Sequence, residues 1–377
     1  MRLLFVTQSL DVGGIETSLC RLTIDLTRRG HAVTVASRVG VLSEAVRSAG
    51  GRTVALSLSL GSPLRVLRDI LCLRRMVLNE ADVVHVFAAK AAVLLWMATR
   101  SMPRSRRPLI VSSLMGLQAS PEEPEWKKRL RASLTLVGAD LVVVTSPAIG
   151  EMIAGLRRTP RQKVEASVVG VDVPEALQPE RVLALRSSLG LNRNDRVVVT
   201  IGRLDPGKSH ELFIHCAAVV ASRIPGVYFL VVGGGALESE LKSLVETLGV
   251  ADRVHLLGER IDATDLLSIA DVCVRPGVVD GFVGVTVLEA QAQKVPVVSF
   301  DTLDVRPAVT DGVSGILVPP GDVDGLAEAI VRLLDKPDLA ERIGLAGHSH
   351  FMKRYWIDSV VSNLLEIYAS ANGDQVD

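Results

Sequence analysis

Two carboxylates, Asp280 and Glu289, bracket a glycine-rich turn in the stretch 279-VDGFVGVTVLEAQAQKVPVVSF-300. The pattern predicts a helix starting near Gly284 that carries Glu289 in its second turn. Amides at a helix start lack acceptors one turn back and favour anions. Those from Gly281 and Phe282 through Gly284 and Val285 to Thr286 therefore suit phosphate oxygens. A carboxylate fits beside phosphates where it accepts hydrogen bonds from sugar hydroxyls. On that reading Glu289 takes a ribose and Asp280 faces a second sugar. From these residues alone, a nucleotide sugar and another phosphorylated ligand remain equally open.

A second loop, 201-IGRLDPGKSH-210, holds Arg203 and Lys208 five residues apart around Pro206 and Gly207. An arginine fork and a lysine point charge on one tight loop suit a diphosphate. The plain alternative is a solvated loop, but the apolar strand before it carries Arg203 to a sheet edge. In 10-LDVGGIET-17, Gly13 and Gly14 before Glu16 read as a tight turn or as an anion approach at a helix start. Gly233, Gly234 and Gly235 in 231-VVGGGALESELKSL-244 read either as a tight turn, the favoured reading, or as a nucleotide cradle. In 257-LGERIDATDLL-267, Arg260 precedes Asp262 and Thr264, either of which could cap a helix. His31 and His255 read as structural. His85, at the end of a strand and facing the cleft, is open to both a structural and a functional role. No HxxH, CxxC or DxD cluster occurs, so no metal site is expected. Cys20, Cys72, Cys216 and Cys273 stand far apart and read as buried thiols of a reducing compartment.

These loops must be held by a scaffold. The chain has 377 residues, 48% of them apolar and 22% charged, enough for two packed domains. RLLFVTQ, HAVTVAS, ADVVHVFA, PLIVSSL and ADLVVVTS are apolar strand runs separated by helical segments. After a pause near residues 170–190, DRVVVTIG, GVYFLVVG, DRVHLLG, ADVCVRP, VPVVSF and GILVPP repeat the pattern. Unalternating apolar strands between amphipathic helices indicate parallel sheets covered on both faces. The expectation is two doubly wound domains, 1–175 and 185–354, facing each other across a cleft, with the helix 355–377 packing back on the first. No apolar run is long enough to span a membrane, and the N-terminus reads as a strand rather than a signal peptide.

The chain resembles family 4 of the retaining nucleotide-sugar glycosyltransferases, which have the GT-B fold. GGIET, RRGHAVTVAS, GRLDPGK, VVGGGALESEL, VHLLGER, ADVCVRP, VLEAQAQKVPVV and VTDGVSGILVPPGD carry the resemblance in order along nearly the whole chain. It implies that Arg203 and Lys208 hold the donor diphosphate, that Asp280 and Glu289 serve the transferred sugar and the ribose, and that Ile261 meets the base through its backbone. It also implies a metal-independent transfer with no cofactor beyond the UDP- or GDP-linked donor. Three departures stand out. Eight residues separate Asp280 from Glu289 where the family has seven between two glutamates. Met115-Gly116 replaces His-Gly. The family's Asn-Gly-Val-Asp is shortened to 170-GVD-172.

The net charge of zero hides an asymmetry. Residues 1–173 hold 24 Lys+Arg against 14 Asp+Glu, and residues 174–377 hold 18 against 28. The resemblance makes the basic half the acceptor side, with Gly13, Glu16, His85, Met115 and Gly116 as its site residues. Arg65, Arg68, Arg74 and Arg75 interleave with leucines, and a second basic group surrounds Trp96 and Trp126. This fits either a solvated helix face or a helix on an anionic membrane. Nucleic acid is not expected, because no recognition motif or stacking array appears. The acceptor is expected to be a small-molecule or lipid-linked alcohol, met in the cytoplasm or on the inner face of its membrane. A non-catalytic nucleotide-sugar-binding subunit and a GT-B epimerase are the competing readings.

Overall fold

Strand runs with no polar alternation need apolar cover on both faces, and the computed structural model provides it twice. The structure describes residues 1–11, 14–59, 61–103, 106–114, 124–145, 150, 153, 162–277 and 284–373. The chain divides into two units, Met1–Val171 with Arg354–Asp377, and Asp172–Lys353.

The first unit alternates β1 (Arg2–Ser9), α1 (Gly14–Arg28), β2 (Ala32–Arg38), α2 (Ser43–Ser48), β3 (Arg52–Ala55), α3 (Pro63–Glu80), β4 (Val83–Val86), α4 (Ala89–Thr99), β5 (Leu109–Leu114), α5 (Glu125–Thr135), β6 (Leu141–Val144) and β7 (Gln162–Glu165). The strands are parallel, in the order β3-β2-β1-β4-β5-β6-β7. Side chains alternate between faces. Leu4, Val6, Val84 and Val86 pack with Leu73, Met76, Val77, Leu94 and Leu95 of α3 and α4. Phe5 and His85 point to the other face, where both rings meet Phe87 and His85 also meets Tyr368.

The second unit holds α6 (Pro179–Ser188), β8 (Arg196–Ile201), α7 (His210–Arg223), β9 (Val227–Val232), α8 (Glu238–Thr247), β10 (Val254–Leu256), β11 (Val272–Arg275), α9 (Val285–Ala292), β12 (Val297–Phe300), β13 (Ile316–Val318), α10 (Val323–Asp335) and α11 (Pro337–Arg354). Two short 3-10 segments, Pro206–Lys208 and Asp265–Ile269, lie between them. Its six parallel strands run β10-β9-β8-β11-β12-β13, the same winding as the first six of the other sheet. The core joins Phe213, Ile214 and Val220 of α7, Phe229 and Val231 of β9, and Leu326, Ile330 and Leu333 of α10.

The last helix, α12 (Ile357–Gly373), belongs to the first unit. The Val171 amide donates to the Tyr355 carbonyl at 2.8 Å, and the Ile357 amide donates to Val171 at 3.1 Å. Gly170 permits this approach, since a Cβ there would lie 2.2 Å from the Ile357 side chain. Cys20, Cys216 and Cys273 are buried free thiols and Cys72 is partly buried. Burial pushes the Cys216 and Cys273 thiols up to about 12.

Candidate functional site

In the second unit the strand order changes direction between β8 and β11. Such a switch point opens a crevice beyond the strands' carboxyl ends. The loop leaving β8 carries Arg203 and Lys208, and the chain leaving β11 leads to α9. The Thr286 hydroxyl donates to the Ile201 carbonyl at 3.1 Å, tying the start of α9 to the end of β8.

The loop after β8 is shaped by backbone contacts. The Gly202 amide donates to Val232 at 2.9 Å, and the Leu204 amide donates to Gly234 at 3.0 Å. Gly233 sits at φ +143°, and a Cβ there would lie 1.9 Å from the Gly202 carbonyl oxygen. At Gly235 a Cβ would lie 2.6 Å from the Leu204 carbonyl oxygen. Gly233 and Gly235 thus let the neighbouring loop pass at backbone distance. From the other side, the Nε2–H of buried His210 donates to the Arg203 carbonyl at 3.1 Å. Burial lowers the His210 pKa, which keeps the ring neutral at pH 7. The Arg203 guanidinium is exposed and lies 3.0 Å from the Asp205 carboxylate. Lys208 ends the 3-10 turn, half-buried.

Gly284 is the N-cap of α9, and the helix begins at Val285, where the sequence pattern puts it. As first helical positions, Val285 and Thr286 have no acceptor one turn back. Glu289 lies in the second turn, half-buried. Its charge adds to burial in raising the Cys273 thiol. Asp280, Gly281 and Phe282 lie outside the described residues.

Sequence reasoning missed Arg275. This buried arginine ends β11 and pairs with the Asp304 carboxylate at 2.5 Å. It also donates to the Gly277 carbonyl at 3.2 Å, directly beneath Gly284, where a Cβ would meet its Nε at 3.2 Å. The signal was available: a cation closes the apolar run Val-Cys-Val where the strand should be buried. His210 was also passed over, because nothing in its spacing marks it.

The 257–267 loop corrects one expectation. Asp262 caps no helix: its carboxylate takes a two-pronged ion pair from Arg260, at 2.8 and 2.6 Å. The pair lowers the Asp262 pKa and raises that of Arg260. Thr264 stands at the N-cap of the Asp265–Ile269 turn but makes no side-chain cap bond. Between the paired residues, the Ile261 side chain is fully exposed. The Gln293 side chain donates to the Thr264 carbonyl at 2.9 Å, fastening this loop to the end of α9.

In the first unit, Gly14 opens α1 and Glu16 lies in its first turn. Gly13, Met115 and Gly116 lie outside the described residues. His85 requires a second correction. Instead of facing a cleft it is wholly enclosed, 2.5 Å from the Tyr368 hydroxyl through Nδ1 and 2.6 Å from the Ser113 hydroxyl through Nε2. Burial pushes its pKa down to about 3. It is a neutral bridge between β4, β5 and α12, closed to ligands.

Comparison with known proteins bears on the fold and the family. The chain is 28% identical to a D-inositol 3-phosphate glycosyltransferase of Mycolicibacterium smegmatis, over 97% of this chain and 88% of that protein. It is 26% identical to the lipopolysaccharide core biosynthesis glycosyltransferase LpsE of Rhizobium meliloti, over 74% and 81%. HepE of Anabaena, solved in complex with UDP, superposes with a TM-score of 0.83 at 22% identity, over 98% of this chain and all of that one. The fold is GT-B. Residues 12–174 match the model "Glycosyltransferase Family 4" and residues 183–350 match "Glycosyl transferases group 1". With one model on each unit, in tandem, the chain belongs to the family 4 glycosyltransferases.

Proposed function

We propose that this glycosyltransferase moves a hexosyl unit from a UDP- or GDP-linked sugar to a hydroxyl acceptor, retaining the anomeric configuration and using no metal or other cofactor. The observation that carries the reading is the bond from Thr286 to Ile201, which sets the Arg203 loop beside the open amides of α9. Cations and amides around one crevice suit a diphosphate. HepE of Anabaena was solved with UDP-glucose as well as UDP, which supports a nucleotide-sugar donor.

In this proposal the acceptor oxygen bonds to the anomeric carbon, the bond from that carbon to the diphosphate breaks, and the acceptor proton passes to the departing diphosphate oxygen. Negative charge grows on the leaving diphosphate. Arg203, Lys208 and the amides from Gly284 to Thr286 stabilise it where it grows, which is where an electrostatic contribution accelerates reaction. Glu289 accepts from the ribose, Asp280 with Gly281 and Phe282 borders the sugar, and the backbone beside Ile261 and Arg260 receives the base. The acceptor, a small molecule or a lipid-linked alcohol, binds the first unit near Gly13, Gly14, Glu16, Met115 and Gly116.

The proposal includes peripheral contact with an anionic membrane from the cytoplasmic side. Exposed Leu64, Leu67, Leu71 and Leu78 line α3, and exposed Trp126, Leu130 and Leu134 line α5, between exposed arginines and lysines. Such a face suits the boundary of headgroup and acyl chain. Among the described residues no helix is long and apolar enough to cross a membrane.

Incubation with UDP- and GDP-hexoses, reading nucleotide release and the anomeric configuration of the product, tests the activity. Release from one donor and a retained anomer are expected. Tight donor binding without release, whatever acceptor is added, would overturn it.

A further inference from the structure

The first unit has an open surface depression of about 450 Å³ lined by Arg38, Val39, Ala55, Leu56, Ser57, Arg65 and Arg68. Its size falls in the ordinary range of ligand sites, about 300–1,000 Å³. Arg38 and Ala55 are the last residues of β2 and β3, so the depression lies at the carboxyl ends of parallel strands, the edge that binds ligands in such sheets.

Three guanidinium groups border this space. Arg38 meets Asp11 at 3.2 Å, but both side chains are more than half exposed, so water competes with the pair. Arg68 touches Asp69 at 3.3 Å. That carboxylate is already occupied: wholly buried, it accepts from the Leu58 amide at 2.9 Å and from the Ser57 hydroxyl at 2.6 Å. Arg65 has no carboxylate partner among the described residues, and it lies in the first turn of α3, which contains no acid. A cation there adds to the positive end of the helix dipole, an arrangement that an anionic ligand would relieve. The rim is built firmly as well. Leu58 holds a left-handed backbone at φ 45°, fixed by Asp69 and completely buried.

Exposed apolar side chains neighbour these residues in the chain. Val39 and Val41 follow β2, and Val41 is 69% exposed. On α3, Leu64 is 81% exposed, and Leu67 and Leu71 continue its stripe beside Arg65 and Arg68. Exposed apolar side chains beside charged ones suit a ligand with a hydrocarbon part. Arginines over a depression, bordered by exposed leucines and valines, match a ligand with a phosphate head and a hydrocarbon tail.

We infer that this depression is the seat of the acceptor's phosphate, and that the acceptor is a lipid-linked phosphate whose hydrocarbon lies along Val39, Val41, Leu64, Leu67 and Leu71. The inference rests on the proposed transfer to an alcohol and names the class to which that alcohol belongs. A sugar or alcohol carried on a prenyl-type phosphate meets both requirements, and the reaction before this one must attach that headgroup to its lipid.

Calorimetric titration of the full chain with farnesyl phosphate at submicellar concentration, inorganic phosphate and farnesol tests it. Farnesyl phosphate should bind at least tenfold more tightly than either control. Arg65→Ala and Arg68→Ala should each weaken it about tenfold, the scale of a lost charge-assisted hydrogen bond. Leu64→Ser with Leu67→Ser should bring farnesyl phosphate down towards inorganic phosphate. Leu64, Leu67 and Arg65 are exposed and without a buried partner in the ion pairs above; Arg68 pairs with buried Asp69, so circular dichroism of Arg68→Ala accompanies its titration. Equal binding of inorganic phosphate and farnesyl phosphate would overturn the lipid assignment. Equal binding of farnesol and farnesyl phosphate would overturn the anion site. Arginine variants that bind as tightly as wild type would place the ligand elsewhere. Titration of the wild-type chain with UDP and GDP, run in parallel, reports on the donor reading separately: absent nucleotide binding with intact farnesyl phosphate binding would sink the donor reading and, with it, the acceptor role, leaving only a lipid-phosphate site.

Discussion

The Thr286 hydroxyl donates to the Ile201 carbonyl across 3.1 Å, joining the first turn of α9 to the end of β8. The bond connects the two loops to which the diphosphate is assigned, so it positions them rather than touching ligand. Thr286→Val keeps the shape and removes the donor. A neutral hydrogen bond contributes about 0.5–1.5 kcal/mol, so nucleoside diphosphate affinity should fall by up to about tenfold, with the fold intact by circular dichroism. Thr286→Ser should restore it. If Val and Ser variants bind alike, the hydroxyl has no positioning role.

Arg203→Ala and Lys208→Ala should each lower kcat/KM by roughly a hundredfold or more, because both charges act where the diphosphate gains negative charge. Steady-state turnover of a UDP- or GDP-hexose measures this. Near-normal rates in either variant would remove that residue from the diphosphate.

Gly233→Ala should destabilise the second unit. Its φ of +143° and the 1.9 Å approach to the Gly202 oxygen leave no room for a methyl group. The combined strain and overpacking should cost about 2–4 kcal/mol, read as a lower urea midpoint. Donor affinity should fall with it, since the displaced backbone carries Arg203. An unchanged midpoint would mean that the loop relaxes freely.

His85 gives the first unit a pH dependence of definite sign. Its folded pKa of about 3 lies below the ordinary value of 6.5, so the unfolded state takes up the proton first. The stabilising effect is whole above pH 6.5 and is lost as the pH falls from there towards 3. Between pH 7 and pH 5 the loss is about 2 kcal/mol. His85→Phe should flatten that part of the urea-midpoint profile. An identical slope in both proteins would show that the ring is protonated in the folded state.

Much of this architecture was legible in the sequence, and the failures have physical reasons. The runs that became β1, β2, β4, β5, β6 and β8 to β13 are continuously apolar because both sheet faces are covered. β3, Arg-Thr-Val-Ala, and β7, Gln-Lys-Val-Glu, went unread, because they lie at the sheet's edges and are short and polar. The start of α9 could be read from Gly284, since a glycine before an apolar periodic run marks a helix boundary. His85 was misjudged because strand position says which end of a sheet a residue occupies, not what covers it. Its cover comes from Tyr368, 283 residues later in the chain. Arg275 escaped for the same reason: its partner Asp304 lies 29 residues on, beyond β12.

The two acids should separate by what each one touches. Glu289 keeps its place in the second turn of α9 and is assigned to the ribose, which the free nucleoside diphosphate also carries. Glu289→Gln preserves the shape and removes the charge. Charge-assisted hydrogen bonds contribute about 1.5–3 kcal/mol, so affinity for the whole donor and for the nucleoside diphosphate should fall together, by one to two orders of magnitude. Asp280 is assigned to the transferred sugar, which the nucleoside diphosphate lacks. Asp280→Asn should leave nucleoside diphosphate affinity nearly unchanged while lowering turnover of the donor. Calorimetry of both variants beside their turnover rates decides the matter. Equal loss of nucleotide affinity in the two would reverse the placement of the acids. Unchanged turnover in Asp280→Asn would mean that the extra residue between Asp280 and Glu289 carries the carboxylate clear of the sugar.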